Sequence, residues 1–268
     1  MKAFTSIKPL TLEQIETVPG VLGQISRERY FDYHDTVFAI KESYPKQLSF
    51  YEALAVNGLS VIAEIKGSSP SLGKIADLDP VKAARAYYQG GAAAISVLTE
   101  ERHFGGKLGY LKQVANAVDL PLLRKDFVIH PKQIIEAAEN NASAILLIVA
   151  VAQEKTAQYL EFAHQLGLDV LVEIHDEHEL QIALNSKAKI IGVNNRNLQD
   201  LKIDLNNAPK LIKLARSQGF EGLLVAESGY KTAEELAKIK DIADAVLIGS
   251  SLAGSANLKE ALEKIRGK

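Results

Sequence analysis

The chain has 268 residues, with 31 Lys and Arg against 33 Asp and Glu, a formal charge of −2, and no cysteine. That balance argues against a nucleic-acid footprint or a polybasic membrane surface and leaves small polar substrates open. The missing thiols exclude a disulfide framework, a cysteine nucleophile and Cys-ligated zinc, and they fit a reducing cytoplasm.

The opening stretch "MKAFTSIKPLTLEQIETVPG" carries one early Lys and no apolar segment of the secretory type, so it reads as the start of the mature chain. Residues 1–48 predict an irregular or helical extension. "SFYEAL" reads as helix just ahead of the first strand. No low-complexity linker sets the extension apart, so residues 1–268 are expected to form one domain in which 1–48 cap a barrel or its rim.

Eight short runs rich in Val, Ile, Leu and Ala follow: "VIAEI" at 61, "AAISVL" at 93, "PLLRKDF" at 121, "AILLIV" at 144, "LDVLVEI" at 168, "AKIIGVNN" at 188, "GLLVAES" at 222 and "AVLIGS" at 245. Strands buried on both faces have this composition. The longest apolar stretch, "ASAILLIVAVA" from Ala142, falls short of the roughly 20 residues needed to cross a bilayer and reads as a buried strand and its exit. Between the runs lie helix-period segments such as "DPVKAARAYYQGG", "HPKQIIEAAENN", "EKTAQYLEFAHQLG" and "TAEELAKIKDIA". Strand and helix alternating eight times predict an α/β fold, a single (β/α)₈ TIM barrel, over an open doubly wound sheet.

In such a barrel chemistry collects at the C-terminal strand ends, and the polar residues there form a coherent set. Strand one carries Glu64 and Lys66 on one face, two residues apart. Strand three ends in Lys125, Asp126 and Phe127, strand five in Glu173 and His175, and strand six in Asn194, Asn195 and Arg196. Strand seven ends in Glu227, Ser228 and Gly229, and strand eight in Gly249, Ser250 and Ser251. One charge at a strand end is commonly a solvated rim residue. Several Lys and Glu converging on one mouth are costly to desolvate unless paired or used, and so predict a site. Lys125 is expected to be pulled down by burial and by Lys66 and pushed up by Glu173 and Glu64, so that the four titrate as a set.

"ESG" and "GSS" after strands seven and eight admit two readings, a helix N-cap and an anion site. The loops after those two strands are the recurrent phosphate site of this barrel, which favours the anion. "HDEHEL" lacks the His at i and i+4 of a zinc protease helix and reads as a solvated helix start. "GGAAA" and "FGGK" lack the register of a dinucleotide fingerprint. Phe104 is a packing residue or an apolar lid contact.

Seven segments, "VIAEIKGSSPSLG", "AAISVLTEERHFGG", "PLLRKDFVIHPKQIIEA", "LVEIHDEHEL", "IIGVNNRNL", "VAESGY" and "AVLIGSSL", resemble in order and spacing the motifs of the indole-3-glycerol phosphate synthase family. The resemblance runs from about residue 50 to the end. It implies decarboxylating, dehydrating ring closure of 1-(2-carboxyphenylamino)-1-deoxyribulose 5-phosphate, with no metal and no organic cofactor. Carried over, Lys125 is the general acid of ring closure, and Glu173 stabilises positive charge or shares in proton transfer. Glu64 is an acid or base for dehydration, and Lys66 contacts the carboxylate or phosphate and shares in dehydration. Asn194 and Arg196 orient hydroxyls and the carboxylate beside Ser69 and Pro70, and Glu227 joins in substrate binding. Phe104, Phe127, Leu146 and Leu247 wall the anthranilate ring, and Ser228, Gly229, Gly249 and Ser250 hold the phosphate. Two positions depart from the family: Gly67 stands where Arg or Lys is usual, and "FGGK" where "FNGS" is common.

The partner implied is a small phosphorylated molecule, with neither nucleic acid nor membrane. A monomer or weak homo-oligomer is expected, with possible association with other tryptophan-pathway enzymes. Two alternatives stand beside this reading. Another phosphate-binding barrel enzyme, an isomerase or epimerase, would want a Cys–Asp pair or metal-ligating His and Asp. A noncatalytic phosphate-binding subunit would have no reason to keep Lys125, Glu173, Glu64 and Lys66 together.

Overall fold

Each of the eight apolar runs becomes a parallel strand, and the strands close on themselves in chain order, the last pairing back onto the first. The structure is a computed structural model that describes residues 7–70, 73–75, 79–197 and 201–268. Residues 1–6 of the expected extension, and Ser71, Leu72 and Leu198 of the quoted segments, lie outside these. The strands are β1 (Ser60–Ile65), β2 (Ala94–Leu98), β3 (Leu122–Lys125), β4 (Ala144–Ile148), β5 (Asp169–Ile174), β6 (Ile190–Asn194), β7 (Leu223–Glu227) and β8 (Ala245–Ile248). Nearly every strand residue is buried, because side chains facing inward fill the barrel while those facing outward meet the helices. The expected (β/α)₈ barrel is what forms.

The helices between strands start where local chemistry allows. Asp79 accepts from the amides of Val81 and Lys82 ahead of the helix Pro80–Gln89, and His130 with Gln133 makes a capping box ahead of Pro131–Glu139. Pro at the first helical position removes an amide that would have no partner there. Among the described residues no helix is long and apolar enough to cross a membrane.

Before β1 lie α1 (Leu12–Glu16), α2 (Gly20–Tyr33) and α3 (Phe50–Leu54). Thr11 and Gln14 cap α1 reciprocally, and Leu10, Ile15, Val18 and Leu22 join the barrel's own apolar core. Polar ties fix α1 and α2 over the ends of β3 and β4: Leu10 N–H donates to Ile129 O at 3.0 Å, Tyr33 Oη to Glu136 Oε2 at 2.7 Å, and Gln153 Nε2 to Thr17 Oγ1 at 2.9 Å. α3 serves the opposite end. Its Phe50 and Leu54 are fully buried, and the Tyr51 amide donates to Asp169, the first residue of β5, at 2.9 Å. The chain between α2 and α3 therefore passes from the mouth of the barrel to its floor.

Candidate active site

The C-terminal strand ends open on a cavity of about 320 Å³, and every residue to which the resemblance gives a catalytic or binding role lines it, whereas His175 and Asn195 face a neighbouring polar cavity. That volume falls at the lower end of the range for small-molecule sites.

Its floor is charged. Lys125 Nζ lies 3.3 Å from Glu173 Oε2 and 3.5 Å from Glu227 Oε2, and Lys66 Nζ lies 2.8 Å from Glu64 Oε1. Inward-facing positions on neighbouring strands put these groups level: Asn194 pairs in register with Glu227, and Glu227 with Leu247. Gly192 makes room, since a methyl there would overlap Glu227 Oε1 and stand 3.1 Å from Leu171 Cδ1. A buried carboxylate thus occupies the volume of an absent side chain.

Burial pulls the Lys125 ammonium down, but Glu173, Glu227 and Glu64 more than offset this and hold it above its ordinary range. Of its neighbours, the carboxyl groups of Glu173, Glu227 and Glu64 dominate, the second of which the expectation from sequence did not name. Burial also pushes the Glu173 carboxyl up, and Lys125, His175 and Asn194 together bring it well below the carboxylate range. For Glu227 burial wins: with Glu173 and Glu64 close by, it is pushed up despite Lys125. At neutral pH the floor therefore holds an ammonium, an ionised Glu173 and a Glu227 that readily keeps a proton. Three carboxyl groups act on Lys125, where the sequence expectation named two.

One wall is apolar. Phe104 and Phe127 face each other with ring centres 5.8 Å apart, and Leu146 and Leu247 continue the surface from β4 and β8. Glu100 shapes the loop that carries Phe104, its buried carboxylate accepting from the amides of Arg102, His103 and Phe104 at 2.9, 2.8 and 3.1 Å. Leu22 and Ile25 of α2 complete the wall, which the sequence did not foretell. Their three-residue spacing predicts a buried helix face without saying what it covers.

Opposite lies the end made by Ser228, Gly229, Gly249 and Ser250. Ser228 and Gly229 have φ of 66° and 96°, a turn that brings successive amides to the cavity. The short helix Ser250–Ala253 begins at Gly249 with no side-chain cap, and these amides have no backbone partner among the described residues. Donors without acceptors suit an anion better than a completed cap. Gly249 also packs against the charged floor: a methyl on it would overlap Glu64 Oε1 and approach Lys66 Nζ to 3.0 Å.

Several polar residues hold one another. Asn194 Nδ2 donates to Glu173 Oε1 at 3.2 Å, while its Oδ1 accepts the Arg196 amide at 2.9 Å. Arg196 reaches Leu201 O at 3.0 Å, and Ser69 and Pro70 complete the rim. His175 corrects the reading of "HDEHEL": the helix Glu177–Asn185 does start there, capped by Asp176, but the His175 side chain is only 14% exposed and pairs with Glu173 and Glu179. Among the described residues no group of three or more His, Cys, Asp and Glu is placed to hold a metal ion.

An ammonium between carboxylates, an apolar slot for a planar ring, and a cradle of free amides can bind an aromatic phosphate and move protons at its centre. Comparisons with known proteins agree. A family model described as indole-3-glycerol phosphate synthase matches residues 24–265. A Deinococcus radiodurans protein of that name is 50% identical over 250 residues, covering 91% of this chain and 94% of the other. A Methanopyrus kandleri protein of the same name is 39% identical, covering 89% and 94%. A mutant tryptophan synthase alpha-subunit from Pyrococcus furiosus shares the fold, with a TM-score of 0.59 at 13% identity over 78% of this chain and 98% of that one.

Proposed function

The chain belongs to the indole-3-glycerol phosphate synthase family and is a decarboxylating lyase of tryptophan biosynthesis, and from that premise we propose how its cavity carries the reaction. The substrate's aromatic ring lies against the wall of Phe104, Phe127, Leu146 and Leu247. Its phosphate sits on the amides of Ser228, Gly229, Gly249 and Ser250. Arg196 and Lys66, beside Ser69 and Pro70, take the carboxylate.

The ring carbon bearing the carboxylate attacks the ribulose carbonyl carbon, and Lys125 gives a proton to the carbonyl oxygen, which becomes a hydroxyl. Carbon dioxide then leaves, its bonding pair restoring the aromatic ring. Ionised Glu173 stabilises positive charge on the anilino nitrogen, and a proton taken up from solvent returns Lys125 to its charged form. The Glu64–Lys66 pair protonates the departing hydroxyl, water leaves, and loss of a proton from the substrate completes the indole. Glu227 and Asn194 orient the sugar hydroxyls.

The observation that carries this reading is the placement of Lys125 between the buried carboxyl groups of Glu173 and Glu227, the first of them ionised, which supports an acid kept charged until used. The wider setting is of one domain, residues 1–268, with the extension over the mouth. It works in the cytoplasm as a monomer or weak homo-oligomer, open to association with other enzymes of the pathway. Support for that comes from the shared apolar core and the near-neutral charge.

The test is a fluorescence assay with the carboxyphenylamino ribulose phosphate. The indole product emits, and the chain has no Trp to obscure it. Absence of indole emission with stable, folded protein would refute the reading.

A further inference from the structure

One imidazole beside the cavity has no part in the scheme above. His175 follows Glu173 by two residues, so both leave β5 on one face. Its Nε2 lies 3.3 Å from Glu173 Oε1, and its Nδ1 lies 3.0 Å from Glu179 Oε2, which also accepts the His175 amide at 2.8 Å. Glu179 is delivered by the helix Glu177–Asn185, so the ring is gripped from two elements. Nε2 itself is sealed from solvent and makes no hydrogen bond, so its 3.3 Å approach to Glu173 Oε1 is a contact of charge. A neutral imidazole would bring a lone pair against one of the two carboxylates. Only the doubly protonated ring sets positive charge, and no lone pair, against each.

We propose that His175 is a positioning residue for the reaction: clamped as an imidazolium between Glu179 and Glu173, it holds Glu173 Oε1 and leaves Oε2 facing Lys125. The inference rests on the role given to Glu173 above. Two groups hold Oε1, the His175 ring and the Asn194 amide, and only the ring brings charge. Burial pulls the ring down, and Glu173 with Glu179 outweighs burial and raises it to about 10. The charged groups around it are Glu173 on its own strand, with Lys125 of β3 beyond, Glu179 and Asp176 at the following helix, and Arg196, Lys202 and Asp204 across a polar cavity that His175 also lines.

His175→Gln keeps an amide donor and loses the charge. Turnover should fall about tenfold with KM within about threefold, because ground-state binding is carried elsewhere. The acid limb of the kcat profile should move to higher pH, since without the neighbouring cation Glu173 takes a proton more readily. An unchanged kcat and acid limb would overturn the proposal. Glu173→Gln separates it from its premise. If E173Q keeps its turnover, the role of Glu173 fails and this one with it; if E173Q loses turnover while H175Q matches the parent, only the role of His175 fails. A readout on the unsubstituted protein guards against variants that do not fold: ¹⁵N NMR of the ring, assigned through its own Cβ, should show both nitrogens protonated at pH 8. A neutral tautomer there would overturn the proposal outright.

Discussion

Arg29 of α2 closes on Asp126 through two hydrogen bonds, Nε to Oδ1 at 3.1 Å and NH2 to Oδ2 at 2.7 Å. Asp126 stands between Lys125, the proposed acid, and Phe127, a wall of the ring slot. Its Oδ2 also accepts from Thr99 Oγ1 at 2.6 Å and Arg124 NH2 at 3.0 Å. The extension is thus tied to the residue that sets the direction of both neighbours.

Replacing Arg29 with Met keeps much of the apolar stem and removes the fork. Asp126 would then be left buried with Arg124 as its remaining cation, so stability should drop by about 3 kcal/mol, the lower end for breaking a buried pair. Urea denaturation measures this, and a loss below about 1 kcal/mol would place the pair among weak surface bridges.

Lys125→Met retains packing and removes the proton donor. Turnover should fall about 100-fold or more while direct binding of substrate stays within about tenfold, because ring and phosphate are held at other points. Near-normal turnover would shift the acid's role to Lys66 or Glu64.

In the sequence, Gly249 reads as the place where backbone approaches an anion. Its contact with Glu64 adds a second cost to substitution. Gly249→Ala should push the Glu64–Lys66 pair aside and lower kcat about tenfold or more, roughly 1.4 kcal/mol in the barrier, with less change in affinity for inorganic phosphate. If kcat holds and phosphate affinity alone falls, the glycine serves only the anion.

Stability should also carry the mark of His175. Its folded value of about 10 lies above the ordinary 6.5, so the imidazolium's contribution is complete below about pH 6.5 and is lost as pH rises through 10. The urea midpoints of the parent and H175Q should therefore converge between pH 6.5 and 10. A gap that stays constant over that window would contradict an imidazolium bound between two carboxylates.

With no cysteine in the chain and no His pair at metal spacing, turnover should be unaffected by EDTA. A loss that a divalent ion restores would show that a metal takes part.

The barrel was legible because eight runs buried on both faces have a composition that few other segments share, and the candidate site because charges interrupt those runs at one end. Glu64, Lys66, Lys125, Glu173 and Glu227 announced themselves in that way. His175 stood in the same strand-end set, but its burial between two carboxylates was missed, since "HDEHEL" has the polarity of a solvated helix start. The available signal was its spacing, two residues after Glu173 and four before Glu179. Arg29 and Asp126 were beyond reach, for a pair 97 residues apart leaves no local pattern. Gly192 went unnoticed for a similar reason: its function is to be small beneath a carboxylate on the next strand.

The ties between α2 and the barrel span long stretches of chain, 97 residues for Arg29 with Asp126 and 103 for Tyr33 with Glu136. During synthesis at about 5–20 residues per second, α2 is made some 5–20 seconds before Asp126. For that interval its apolar face has no barrel to rest on. The segment that covers the finished mouth is thus made well before the strands it rests on, and a nascent chain arrested before Asp126 should be cut by protease within Gly20–Tyr33, where the completed protein resists. Equal protection in both would mean that α2 finds shelter elsewhere while it waits.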